Sequence, residues 1–159
     1  MSRILGRRVP HQEGAMPKVL VVDDEPDAVD MLRAFLAGKG YTVSTACDGS
    51  EALRKVAEDR PHVVLLDIRM PRMHGLEVLQ KIQEIDQKIG IILVTGVSDK
   101  GMSLSALTLG AFDYIIKPLD LQYLERSLCH KLTMMTPYVN APRALDNSPV
   151  QPDLTPSVK

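Results

Sequence analysis

An α/β fold built on one parallel sheet is what the sequence predicts, and three observations predict it. Largely apolar runs recur along the chain: Val19-Leu20-Val21-Val22, Val63-Val64-Leu65-Leu66, Ile91-Ile92-Leu93-Val94 and Phe112-Asp113-Tyr114-Ile115-Ile116. Runs of this length between helical stretches read as parallel strands buried on both faces. The stretches between them place apolar residues three or four apart, the spacing of helices with one buried face. Each run also ends on a residue able to do chemistry: Asp23-Asp24, Asp67, Thr95 and Lys117. In open α/β sheets, ligands bind outside the carboxyl ends of the strands.

The elements follow in order. The first strand is Val19 to Val22. Pro26 suits the first turn of a helix, where its missing N–H costs nothing. Val29, Leu32 and Leu36 mark one face of that helix, and Gly38 and Gly40 close it. Tyr41 to Thr45 alternates apolar and polar residues, as an edge strand does. Ser50 to Glu58 reads as the second helix, with Ala52, Leu53, Val56 and Ala57 inward. Pro61 precedes the third strand, which ends at Asp67. Leu76, Leu79, Ile82 and Ile85 stripe the third helix. The fourth strand ends at Thr95. Lys100 to Leu109 forms a short fourth helix stopped by Gly110. The fifth strand runs into Lys117-Pro118, and Leu121, Leu124, Leu128 and Leu132 stripe the last helix. These are five βα units. Crossovers between parallel strands are right-handed, so helices cover both faces of the sheet.

Three segments divide the chain. Residues 1–17 have no apolar period and form a flexible extension. Residues 18–135 form the domain. Residues 136–159, with Pro137, Pro142, Pro149, Pro152 and Pro156, read as a tail or linker with no room for a helix-turn-helix. The 159 residues suffice for one domain with a sizeable core. A net charge of -1 with 25% charged residues gives no reason to expect nucleic-acid or membrane binding. No apolar stretch reaches the ~18 residues of a membrane span, and no secretory leader is evident. Cys47 and Cys129 lack metal-ligand spacing and are expected to be free thiols, which suits a cytoplasmic setting. Cys129, Met70 and Met73 read as packing residues. His62 and His74 have no partner at ligand spacing and read as surface or cap residues.

One edge of the sheet would therefore collect three carboxylates, a hydroxyl and an ammonium. That set suits a hard, oxygen-seeking cation beside a phosphoryl group. Clustered carboxylates repel one another, and a divalent cation would let all three stay ionised. Gly75 is expected where the backbone needs a positive φ or a close approach.

In order and spacing, Asp23-Asp24, Asp67, Thr95 and Lys117-Pro118 resemble the response-regulator receiver domain, the phospho-accepting half of two-component signalling. Asp67-Ile68-Arg69-Met70-Pro71-Arg72-Met73-His74-Gly75 resembles that family's D-x-x-M-P-x-M-x-G loop. The resemblance runs from about Lys18 to Leu132. It implies a flavodoxin-like doubly wound sheet of strand order 2-1-3-4-5 with five helices. It implies Asp67 as the phosphoacceptor, and Mg²⁺ held by Asp24, Asp67 and the Arg69 backbone carbonyl, with Asp23 acting through a water. Lys117 would pair with a phosphoryl oxygen and Thr95 would donate to another. The Lys117–Pro118 peptide is expected to be cis. Tyr114 stands where the family has its switch aromatic, coupled to Thr95. The phosphodonor would be a histidine kinase or a histidine phosphotransfer protein. A homodimer or an output partner would form through the fourth helix, fifth strand and fifth helix. Such a chain is a switch rather than an enzyme.

The alternatives are a receiver heading a longer transcriptional or enzymatic regulator, and a haloacid-dehalogenase-like phosphatase. The second needs D-x-D after its first strand, and this sequence has Asp23-Asp24-Glu25-Pro26 there. A nucleotide-binding module is disfavoured too, because neither a Gly-x-Gly-x-x-Gly nor a P-loop lysine follows the first strand.

Overall fold

The computed structural model describes residues 16–96 and 100–135. The extension at 1–17 lies almost wholly outside the described residues, and the tail at 136–159 lies outside them altogether. Ten elements alternate along the chain: β1 (Lys18–Val22), α1 (Pro26–Gly38), β2 (Thr42–Ala46), α2 (Gly49–Asp59), β3 (Val63–Asp67), α3 (Gly75–Ile85), β4 (Gly90–Thr95), α4 (Lys100–Thr108), β5 (Asp113–Ile116) and α5 (Leu121–Met134). All strand pairs are parallel, and the sheet order is β2-β1-β3-β4-β5. This is the expected flavodoxin-like topology. The order reverses beside β1, so β1 and β3 open the crevice at the switch point.

Strand alternation splits the core into two layers. Leu20, Val22, Val64, Leu66, Ile91 and Leu93 face one way and pack with Ala52 and Val56 of α2, Val78, Leu79 and Ile82 of α3, and Ala106 of α4. Val19, Val21, Val63, Leu65 and Ile92 face the other way, against Val29, Leu32 and Leu36 of α1 and Leu124, Leu128 and Leu132 of α5. β1, β3 and β4 carry no polar alternation because both faces are covered. Each fully buried Leu or Ile contributes about 1.5–3 kcal/mol of transfer free energy.

Several expectations shift. β2 starts at Thr42 rather than Tyr41. The Tyr41 N–H bonds the Leu36 carbonyl, so Tyr41 belongs to the turn that ends α1. Its ring is buried, and its hydroxyl lies 3.7 Å from Cys129 Sγ. Cys129 is a packing residue, as expected, and burial pushes its thiol pKa up. α2 is one residue longer at each end than expected, because Asp48 caps it by accepting the Glu51 N–H at 2.8 Å. Ala57, expected inward, is exposed. The buried face of α2 runs through Gly49, Ala52 and Val56 instead. In α3 the buried line is Val78, Leu79 and Ile82, while Leu76 and Ile85 sit at its margin. Gly110, at φ 110°, follows α4.

His62 and His74 each accept a backbone N–H, the first from β1 and the second from its own helix start. His74 caps α3 by accepting the Leu76 N–H at 3.1 Å, and His62 Nδ1 accepts the Lys18 N–H at 2.9 Å. Burial, then the charge of Lys18, holds His62 below its ordinary pKa.

Candidate functional site

Each functional side chain is placed by the end of a strand. Asp23 follows β1, and its N–H donates to Ala46 O at 3.1 Å. Asp67 is the last residue of β3, in register with Val94. Thr95 ends β4, in register with Ile116, so Lys117 emerges one residue beyond. The Lys117 N–H donates to Thr95 O at 2.6 Å, which ties the two strand ends together. The Lys117–Pro118 peptide is cis, as expected.

Side chains converge in the crevice. The Lys117 ammonium lies 3.5 Å from Asp23 Oδ2 and 3.7 Å from Asp67 Oδ2. Asp23 and Asp67 are buried and Asp24 is exposed. Carboxylate oxygens of Asp23, Asp24 and Asp67 all lie within 4.8 Å of one another. Short backbone bonds orient two of them: Asp23 Oδ1 accepts the Glu25 N–H at 3.0 Å, and Asp67 Oδ1 accepts the Arg69 N–H at 3.1 Å. The second of these also sets the path of the chain at Arg69.

Electrostatically the site is short of positive charge. Among the described residues, three carboxylates face one ammonium. Burial first, and then the charge of Asp23, push the Asp67 carboxyl up from the ordinary 3.8 to about 6; the Arg69 N–H and Lys117 offset part of this. A divalent cation would complete such a donor set, since hard oxygens suit Mg²⁺ and two charges are left uncompensated. The residues present therefore fit the group.

Gly75 meets its expectation by close approach. A Cβ there would lie 2.6 Å from Ile68 Cα and 2.8 Å from Asp67 O, and its N–H donates to Ile68 O at 2.8 Å. The loop between β3 and α3 thus folds back on the end of β3. Met70 and Met73 pack against the core from this loop, as expected. Tyr114 is half-buried and packs on the same core layer as Leu93. Alternation along β4 and β5 puts Thr95 and Tyr114 on one face of the sheet.

Two residues near the site were not anticipated. Asp48, at the start of α2, pairs through Oδ2 with Arg72 Nη2 at 3.3 Å. Asp48 and Glu51 carry the spacing of a helix-start signal. Nothing local links Asp48 to an arginine 24 residues on.

A five-stranded 2-1-3-4-5 sheet with an acidic crevice and a lysine after its last strand defines a class: the phospho-accepting switches of two-component signalling. Residues 19–128 match the family described as the response regulator receiver domain, and the chain belongs to that family. Among curated relatives, the chain is 38% identical over 135 residues to the transcriptional regulatory protein ZraR of Klebsiella oxytoca, covering 82% of this chain and 30% of ZraR. The chain thus spans under a third of that relative's length. Among solved structures, a CheY-like receiver domain protein from Methanospirillum hungatei JF-1 superposes with a TM-score of 0.73 at 31% identity, covering 76% of this chain and 96% of that one. Response regulator TrrA from Thermotoga maritima, solved in complex with Mg²⁺-BeF, superposes with a TM-score of 0.68 at 35% identity, covering 73% of this chain and 99% of that one. A haloacid-dehalogenase-like phosphatase is not supported. No helix among the described residues is long and apolar enough to cross a membrane.

Proposed function

We propose that Asp67 is the phosphoacceptor of this receiver domain, and that Asp24, Asp67 and the Arg69 carbonyl hold Mg²⁺, with Asp23 acting through a water. The observation that carries this reading is the convergence of three carboxylates and Lys117 at the carboxyl end of one sheet. When bound, the cation would neutralise charge on the phosphoryl oxygens and on the crowded carboxylates. The chain's own residues do the rest. An Asp67 carboxylate oxygen attacks phosphorus. The bond from phosphorus to the donor's imidazole nitrogen breaks, and its electron pair stays on that nitrogen. The product is an aspartyl phosphate. Lys117, already beside Asp67, turns its ammonium to a phosphoryl oxygen. Thr95 donates its hydroxyl to another, and Tyr114, on the same face, fills the space this leaves. The donor is a histidine kinase or a histidine phosphotransfer protein. The altered surface lies on α4, β5 and α5, where Leu104, Leu107, Ile116 and Tyr123 are exposed and a second copy or an output partner would bind. The role is that of a cytoplasmic switch rather than of an enzyme with a released product.

Mass spectrometry tests the assignment. After treatment with acetyl phosphate and Mg²⁺, the parent chain should gain one phosphoryl group and Asp67→Asn none, because the amide lacks the nucleophilic charge. Full labelling of Asp67→Asn would sink the choice of nucleophile.

A further inference from the structure

The loop between β3 and α3 carries the carbonyl proposed as a metal ligand, yet its middle is exposed. It is fixed near β3 by the Arg69 N–H on Asp67 Oδ1 and by the Gly75 N–H on Ile68 O. Between these points Arg72 sits at φ 71°, a left-handed conformation that non-glycine residues adopt only where the surroundings hold them there. A tight local turn closes across it, the Met73 N–H donating to Pro71 O at 2.8 Å, and contacts from another element add to that turn. Arg72 pairs with Asp48, and Met73 lies so close to Gly49 that a Cβ on Gly49 would stand 2.9 Å from its sulfur. Asp48 is itself fixed, because its other oxygen caps α2 through the Glu51 N–H.

We infer that the Asp48–Arg72 pair, seated on the start of α2, positions the loop after Asp67 and so sets the affinity of the chain for Mg²⁺. Asp48 and Arg72 are positioning residues. Neither belongs to the proposed ligand set, and Arg72 lies three residues beyond Arg69. The inference rests on the reading of Asp24, Asp67 and the Arg69 carbonyl as a Mg²⁺ site.

The test uses two substitutions that spare local structure. Asp48→Ser keeps a residue that caps helices well but is too short to reach Arg72. Arg72→Asn keeps a residue that tolerates a left-handed backbone but loses the guanidinium. Mg²⁺ affinity is measured by titration calorimetry on the full, unphosphorylated chain, with melting temperature in EDTA beside it. Each single variant should bind Mg²⁺ about threefold more weakly, the scale of an exposed ion pair. The double variant should lose no more than either single, because both remove one interaction. Arg72→Lys should recover most of the affinity, and melting temperatures in EDTA should fall by no more than the loss of one exposed ion pair allows. Unchanged affinity in the single variants overturns the inference. So do additive losses in the double, or an Arg72→Lys variant that recovers none of the affinity. A parent chain that takes up no Mg²⁺ overturns the site reading itself and this inference with it. A parent that binds while the variants bind equally well overturns this inference alone.

Discussion

At Asp67 two effects oppose ionisation. Burial removes water from the carboxyl, and Asp23 adds a like charge, so the group rises from 3.8 to about 6 despite the Arg69 N–H and Lys117. The sign of the pH effect follows. Without metal the folded chain binds a proton at Asp67 that the unfolded chain releases. The associated stability is fully present below pH 3.8 and is lost as pH rises through about 6. In EDTA, Asp67→Asn should lose less stability than the parent over that window. Urea unfolding at pH values spanning it checks this. Equal losses in the two chains would show that the crowding of Asp67 is relieved in solution.

Two element starts carry separable costs. Gly75 opens α3 against backbone atoms of Ile68 and Asp67, so a methyl group there cannot be met by moving a flexible side chain. Alanine is the better helix former by about 1 kcal/mol. Overpacking costs about 1–3 kcal/mol, and here it presses on backbone, so the second effect should win. Gly75→Ala should therefore unfold at lower urea, and it should label more slowly with acetyl phosphate because the end of β3 moves. A variant as stable as the parent would show that α3 shifts away freely. At α5, Asp120 accepts the Gln122 and Tyr123 N–H groups at 3.0 and 3.1 Å. Loss of such a cap costs about 1 kcal/mol. Asp120→Ala should show that loss in urea unfolding with phosphorylation intact. It is a control for the Gly75 effect, since the bonds it removes stay within the start of α5.

Across the whole molecule, the site and the fold are linked through charge. If Mg²⁺ binds the folded chain alone, it should raise the melting temperature, by linkage equivalent to about 2.7 kcal/mol at a hundred times Kd. Asp24→Asn should abolish most of that shift. An unchanged melting temperature in excess Mg²⁺ would count against the site. The switch spans the same distance. A phosphoryl group shifts the equilibrium only by its differential contacts in the two states. In the proposed switch Thr95 would make that contact, on the face it shares with Tyr114. Thr95→Ala should still accept phosphate at Asp67, yet its self-association or partner affinity should respond weakly to beryllofluoride. A full response would show that the signal leaves the site without the Thr95 hydroxyl.

The strand ends were legible because period and position are local. A doubly covered strand is a continuous apolar run, and the residue that ends it lies at the ligand edge. That reasoning located Asp23, Asp24, Asp67, Thr95 and Lys117 and the five βα units. Resemblance to a family supplied strand order and the separate tasks within the site. Helix faces were legible less finely. Ala57 and Ala52 are both alanines, and only the position of β2 and α3 beside α2 decides that Ala52 is buried and Ala57 exposed. Val78, not Leu76, holds the centre of α3 for the same reason. The Asp48–Arg72 pair and the raised carboxyl of Asp67 were decided by tertiary structure alone, as was which of its two expected needs Gly75 serves. Each depends on distances between groups far apart in sequence or across the sheet. Helical and strand periods fix which way a side chain faces, but not what it meets there.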